Sequence, residues 1–198
     1  MYCLEFAGEA ADESMATREA ERAAASALDR VAPGVATARG LEVDRVPTLA
    51  YTRRASELLG RTGADVDSAA ALLDATSVDR TGTVAVRARN VRSSADVSTA
   101  AAERDLGGVL VDRGFQVDLD DPDHELRAVF SDDVCLLGWQ VGARAAAFGS
   151  RAPTDRPFFQ PGSMAPVDAR AYVNLAAGRA LPDATVLDPM CGTGGFLL

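Results

Sequence analysis

Apolar residues alternate with polar ones in some stretches of the chain and recur every three or four residues in others, and these two periods predict strands and helices. Tyr2 to Ala7 reads as a short strand. Ser14 then caps a helical run from about Met15 to Val31, in which Ala16, Ala20, Ala23, Ala24, Ala27 and Leu28 recur at helical spacing and Pro33-Gly34 ends it. Two extended runs follow, Gly40 to Val46 and Thr48 to Leu59, and then a helix from about Asp67 to Ala75 with Asp65 or Asp67 as its cap.

A further strand, Thr83 to Arg89, turns Val84, Val86 and Ala88 to one face and sets Arg87 and Arg89 between them. Strand, helix, strand, strand, helix, strand is a ferredoxin-like order, which places a ferredoxin-like domain over residues 1–80. From residue 81 to 148 a second α/β unit is expected. Its helix, Asp96 to Arg113, carries Val97, Ala101, Leu106, Val109 and Leu110 on one stripe and ends at Gly114, which can take positive φ. Phe115 to Leu119, Glu125 to Phe130 and Val134 to Val141 are strands, the first two joined by Asp120-Asp121-Pro122-Asp123. The stretch from 149 to 163, with Pro153, Pro157 and Pro161, is a linker. After it, a helix from Pro166 to Ala180 and a buried strand from Ala184 to Leu187 open a third unit, 164–198.

Composition narrows the classes. No run approaches the roughly 18 to 20 uninterrupted apolar residues of a membrane span, and Met1-Tyr2-Cys3-Leu4-Glu5 lacks the basic flank of a signal peptide, so a cytoplasmic, membrane-free protein is expected. Cys3, Cys135 and Cys191 stand far apart and His124 is the one histidine, which predicts buried free thiols and no metal site. All 20 basic residues are arginine, and the formal net charge is -9. Such a balance suits a protein that avoids nucleic acid. The many aspartates and alanines and the missing lysine nevertheless resemble proteins of extreme halophiles, where concentrated salt screens long-range charge and an acidic surface does little harm to RNA binding.

The last residues carry the chemistry. Ala184-Thr185-Val186-Leu187 runs into Asp188-Pro189-Met190-Cys191-Gly192-Thr193-Gly194-Gly195-Phe196, an apolar strand feeding an acid and a glycine-rich turn. Doubly wound sheets make their ligand sites at such strand ends. Gly-Lys-Ser/Thr is absent, which excludes a phosphate-cradling P-loop, and so is the Gly-x-Gly-x-x-Gly spacing of a dinucleotide fold. This segment resembles the first cofactor motif of Rossmann-like class I methyltransferases that modify exocyclic amines of nucleobases. The resemblance implies that Asp188, Pro189, Cys191, Gly192, Thr193 and Gly194 wrap the methionine part of S-adenosylmethionine. Phe159, Pro161, Gly162 and Ser163, in Pro157-Phe158-Phe159-Gln160-Pro161-Gly162-Ser163-Met164, resemble the segment that crosses the cofactor from the N-terminal side in those enzymes.

The middle unit resembles a THUMP domain, an RNA-binding module, through Val84-Ala85-Val86-Arg87-Ala88-Arg89, Asp105-Leu106-Gly107-Gly108-Val109-Leu110, Val117-Asp118-Leu119-Asp120-Asp121-Pro122-Asp123 and Leu126-Arg127-Ala128-Val129-Phe130. By that resemblance Arg87, Arg89 and Arg92 would offer forked donors to RNA phosphate. Taken together, the units resemble the archaeal tRNA guanine-10 methyltransferases, which implies a tRNA partner, S-adenosylmethionine as methyl donor and a monomer. That family grips its base with an Asp/Asn-Pro-Pro-Tyr/Phe motif, which this sequence lacks, so no catalytic residue can be named. The expectation is a fragment of a longer enzyme that binds the cofactor weakly or not at all on its own. A stand-alone RNA-binding module and an amine methyltransferase acting on another RNA or on DNA are the alternatives.

Overall fold

The computed structural model describes residues 1–145, 163–192 and 194. Its strands are β1 (Tyr2–Phe6), β2 (Ala27–Ala32), β3 (Val35–Arg39), β4 (Thr52–Gly63), β5 (Thr83–Asn90), β6 (Gln116–Val117), β7 (His124–Ser131) and β8 (Val134–Ala143). Its α-helices are α1 (Glu13–Ala23), α2 (Val66–Ala75), α3 (Thr99–Asp112) and α4 (Pro166–Ala177). All eight strands join one sheet in the order β2-β3-β1-β4-β8-β7-β5-β6. The fold is α/β, as the periodicity predicts.

Within the N-terminal ferredoxin-like unit, the leader, β1 lies antiparallel between β3 and β4, and β2 pairs with β3, which is the interleaved four-strand arrangement of a split β-α-β unit. Where a second helix would connect β3 to β4, the chain makes a 3-10 turn at Val43–Thr48. Long β4 then crosses to the other half, pairing with β1 on one side and with β8 on the other. Two cores lie on the helical side of the sheet. Leu4, Phe6, Ala20 and Leu49 pack beneath α1 and α4, and Leu73, Leu106, Leu110, Leu126, Phe130 and Trp139 pack beneath α2 and α3. Alternate residues of the same strands face the opposite side, where Cys3, Val35, Val129, Val134 and Leu136 make a third, smaller cluster.

Several sequence expectations need correction. The first helix stops at Ala23, because the N–H groups of Ala24 and Ala25 both return to the Ala20 carbonyl and close it. Ala27–Ala32, read as the continuation of that helix, is strand β2, held by register pairs such as Leu28 with Ala38. Pro33-Gly34 is the hairpin tip, with Gly34 at φ +70°. Ser14 lies inside α1 instead of capping it, and the cap position falls to Asp12, whose side chain accepts from the Glu9 N–H and not from the helix. Residues 40–46 are a loop and 3-10 turn whose Leu41 and Val46 are buried without pairing, so apolarity there marks packing and not a strand. The run through Leu59 begins as a strand only at Thr52 and continues to Gly63. The expected strand at 115–119 shrinks to β6, with Phe115 turned into the core at 6.1 Å from the Trp139 ring. Ala184 to Leu187 forms no strand and is exposed, Leu187 by 84%, because among the described residues no neighbouring strand offers it a ladder. Cys191 is exposed too, unlike Cys3 and Cys135. Burial pushes the Cys135 thiol up to about 12.

The caps and turns are anchored by carboxylates. Asp65 accepts from the Ser68 N–H at the start of α2, Asp118 accepts from Asp121 and Asp120, and Asp123 accepts from the Thr83 N–H and hydroxyl. These bonds favour the ionised form and hold all three below the ordinary aspartate value. A depressed folded-state value means stability that is fully present above the unfolded value and lost as pH falls through the folded one. The contribution of these three carboxylates to the urea midpoint should therefore be flat down to about pH 4 and decline below it. Asp65→Asn should flatten that decline.

Candidate nucleic-acid face and cofactor loop

The sheet face without helices is half apolar and half charged. In the charged half Glu5, only 1% exposed, receives Arg127 in a forked pair, Nε to Oε1 at 2.9 Å and an Nη to Oε2 at 3.1 Å. Arg127 also reaches Glu125 at 3.2 Å. Burial works against the Arg127 charge, but Glu5 and Glu125 outweigh it and the guanidinium holds its proton more tightly than usual. Glu125 lies in turn near Arg54 at 3.9 Å and Arg87 at 4.0 Å.

This network sets the surroundings of the RNA candidates. Arg87 stands on β5, half-exposed, with one Nη donating to the Leu119 carbonyl at 2.5 Å. Arg89, two residues on, donates to Glu5 at 3.2 Å and to the Phe6 carbonyl. Arg92 sits in the turn after β5 at φ +53° and donates to Glu13 at 2.5 Å. Glu13 is a second buried hub, also bound by the Gly34 N–H at 2.9 Å and paired with Arg30. Arg87 and Arg89 are thus brought together on one face, whereas Arg92 belongs to a different cluster.

The third unit meets the leader through α4. Glu19 of α1, fully buried, accepts the N–H groups of Ala50 at 2.7 Å and Tyr51 at 2.8 Å and the Asn174 amide of α4 at 2.5 Å. Burial pushes Glu19 up, and those three donors pull it back only in part. Asn174 donates as well to the Thr48 carbonyl at 2.9 Å, Arg170 donates to the same oxygen at 3.0 Å, and the Tyr51 hydroxyl bonds Asp168. Arg179 closes the contact with Glu42 at 2.6 Å. None of Glu5, Glu13, Glu19 or Asn174 was marked by the sequence, and Arg127 was marked only as part of the THUMP-like segment, with no role. An acid or amide at an otherwise apolar helical or strand position was the available signal.

Beyond α4 the chain reaches the glycine turn. Asp188 accepts from the Met190 N–H at 2.9 Å, and the Gly194 N–H bonds the Cys191 carbonyl at 2.7 Å. Gly192 and Gly194 take φ +49° and +74°, where a side chain is strained. Pro189, Cys191 and Gly192 are exposed. A bend of this kind suits close backbone approach to a ligand, although the described residues do not enclose one. Ser163 is described and half-buried, whereas Phe159, Pro161, Gly162, Thr193 and the linker lie outside the described residues. Among the described residues no cluster of three metal-ligating side chains occurs, and no helix is long and apolar enough to cross a membrane.

Known proteins share both parts of this layout. Residues 65–139 match the THUMP domain, and residues 153–198 match the RMKL-like methyltransferase domain. The chain is therefore similar over its middle to a THUMP domain and over its last 46 residues to a methyltransferase domain. It is 38% identical over 153 residues to the tRNA (guanine(10)-N2)-dimethyltransferase of Methanothermobacter thermautotrophicus, across 76% of this chain and 44% of that protein. To the protein of the same name from Methanocaldococcus jannaschii it is 32% identical, across 64% of this chain and 37% of the other. The chain thus spans less than half the length of these curated relatives. Among solved structures, TrmN from Thermus thermophilus superposes with a TM-score of 0.60 at 20% identity, covering 99% of this chain and 60% of that one, which shows a shared fold.

Proposed function

We propose that this chain is the RNA-binding front and the cofactor-loop beginning of an enzyme that methylates the exocyclic amine of a guanine in tRNA, with S-adenosylmethionine as donor. The observation that carries the reading is the glycine turn that opens at Asp188, which follows by ten residues a helix clamped to the leader. Similarity to the guanine-10 dimethyltransferases supports guanine as the target base, and the THUMP match supports tRNA as the partner. Residues 1–145 dock the tRNA. A paired target guanine is then flipped out of its stack toward the cofactor. Asp188, Pro189, Cys191, Gly192, Thr193 and Gly194, with Phe159, Pro161, Gly162 and Ser163, hold the methionine end of S-adenosylmethionine, which supplies an electrophilic methyl group when bound. The packing of Ala69 and Leu73 in the second core, and a THUMP match that opens at residue 65, support a boundary between the first two units near 64 in place of 80. A cytoplasmic monomer suits this role.

The test is methyl transfer by the completed protein. Incubation with isotopically labelled cofactor and unmodified tRNA, followed by digestion to nucleosides, should place label on a guanine amine. Gly192→Val, which forces a β-branched residue to φ +49° at the proposed loop, should cut transfer by about 100-fold, the scale of a misplacement of roughly 1 Å. Label on adenine, or full activity in that variant, would overturn the assignment.

A further inference from the structure

Arg53 of β4 is exposed, and among the described residues its side chain makes no hydrogen bond or ion pair. The β1–β4 register slips between Glu5 and Phe6, pairing Glu5 with Arg54 and Phe6 with Thr52, so Arg53 is the extra residue of a bulge beside Arg54 and opposite Glu5, near enough to Arg54, Arg89 and Arg127 to feel their charge. Arg54 is the neighbour of Glu5 in the β1–β4 register and donates to Gln140 at 2.8 Å on the same helix-free face. Arg87 lies opposite Arg127 on the adjacent parallel strand. Five guanidinium groups, those of Arg53, Arg54, Arg87, Arg89 and Arg127, therefore crowd against two carboxylates, Glu5 and Glu125. That leaves an excess of three positive charges in one place on a chain whose formal net charge is -9. Like charges held together cost free energy unless an anion joins them. Partial desolvation of the exposed Arg53 side chain by its neighbours and the fields of Arg89 and Arg54 disfavour its charged form, which an arriving anion would reverse.

We propose that Arg53 and Arg54 from the leader, with Arg87 and Arg89 from the THUMP half, form a single row that binds the phosphodiester backbone of RNA across the seam between the two units. Arg127 is the row's positioning residue, since it is buried and gathers both carboxylates. From β4 to β5 the sheet passes three strand intervals, roughly 14 Å. Over such a length a nucleic-acid strand presents several phosphates, at about 3.4 Å of axial rise each, whereas a single small anion would leave part of the row unmatched. Forked guanidinium donors suit phosphate oxygens. The face also stays clear of α1, α2, α3 and α4, which all pack on the other side. The leader then serves as half of the RNA grip, in addition to being a mount for α4. This rests on tRNA being the partner.

The test separates the two claims. Binding of unmodified tRNA transcript to the 198-residue chain is followed by fluorescence anisotropy across a potassium chloride series, with Arg53→Ala, the double variant Arg53→Ala/Arg54→Ala, and Arg18→Ala, an exposed arginine of α1, as control. Arg53 is exposed, so its loss leaves the fold standing, and melting curves check this for every variant. The row predicts about tenfold weaker binding for Arg53→Ala and a salt slope lower by about one for each arginine removed, with Arg18→Ala unchanged. If the wild-type chain binds tRNA and the double variant binds equally well, the row is wrong while the tRNA reading stands. If the wild-type chain does not bind tRNA at all, both fall. Competition by polyglutamate as effective as that by tRNA would reassign the row to an acidic peptide and overturn the proposal.

Discussion

Arg127→Met is expected to lower the unfolding free energy by about 3–5 kcal/mol, the usual cost of breaking a buried ion pair from one side. The substitution nearly preserves length and apolar packing, so what it removes is the charge. Glu5 would remain 1% exposed, with Arg89 as its remaining ion-pair partner among the described residues. Urea unfolding at neutral pH measures the loss. The pair itself is a poor source of net stability, because two ions leave water to form it. Glu5→Leu combined with Arg127→Met should accordingly recover most of what the single variant loses. A single variant within about 1 kcal/mol of the parent would mean that Glu5 is solvated or protonated once its partner goes, and that the buried network is not the joint between β1 and β7.

Glu19→Leu should cost about 2–4 kcal/mol, because the N–H groups of Ala50 and Tyr51 and the Asn174 amide would lose their acceptor in a site without water access. The loss has a second readout. Since Glu19 is the point at which α4 meets α1, hydrogen exchange in Asp168 to Asn174 should speed up far more than exchange in α3, which shares no partner with it. Uniform acceleration across the chain would assign Glu19 to general core stability and not to holding α4. Asn174→Leu, which leaves the Glu19 carboxylate with its two backbone donors, should produce the local loosening with a smaller global cost.

Much of the architecture was legible because local signals agreed. The alternation in Thr83 to Arg89, the cap at Asp65 and the stop at Gly114 each had a mechanism within a few residues, and β5, α2 and α3 appear where those signals place them. The helix drawn through Val31 shows the opposite case. Alanine favours a helix wherever it stands, and only the register with β3, invisible locally, turns Ala27–Ala32 into a strand. Leu41 and Val46 misled for a related reason, since a buried loop and a strand can share the same apolar content. At the candidate site the chemical types were legible and the partners were not. Arg89 and Arg92 could be picked out as arginines, but Glu5 lies 84 residues from the first and Glu13 lies 79 from the second. The glycine turn was readable from its letters alone. The strand before it was not, because a ladder needs a neighbour and sequence periodicity reports only one side of that contract.

The twelve residues of β4 are bonded on one edge to the leader and on the other to β8. An engineer wishing to transplant the THUMP-like module onto another protein could not cut at the border between the family match and what precedes it without stripping β8 of its mate and leaving a raw, sticky flank. Chimeras that carry residues 1–145 as a block should express and remain dispersed, while those that begin at 65 should clump.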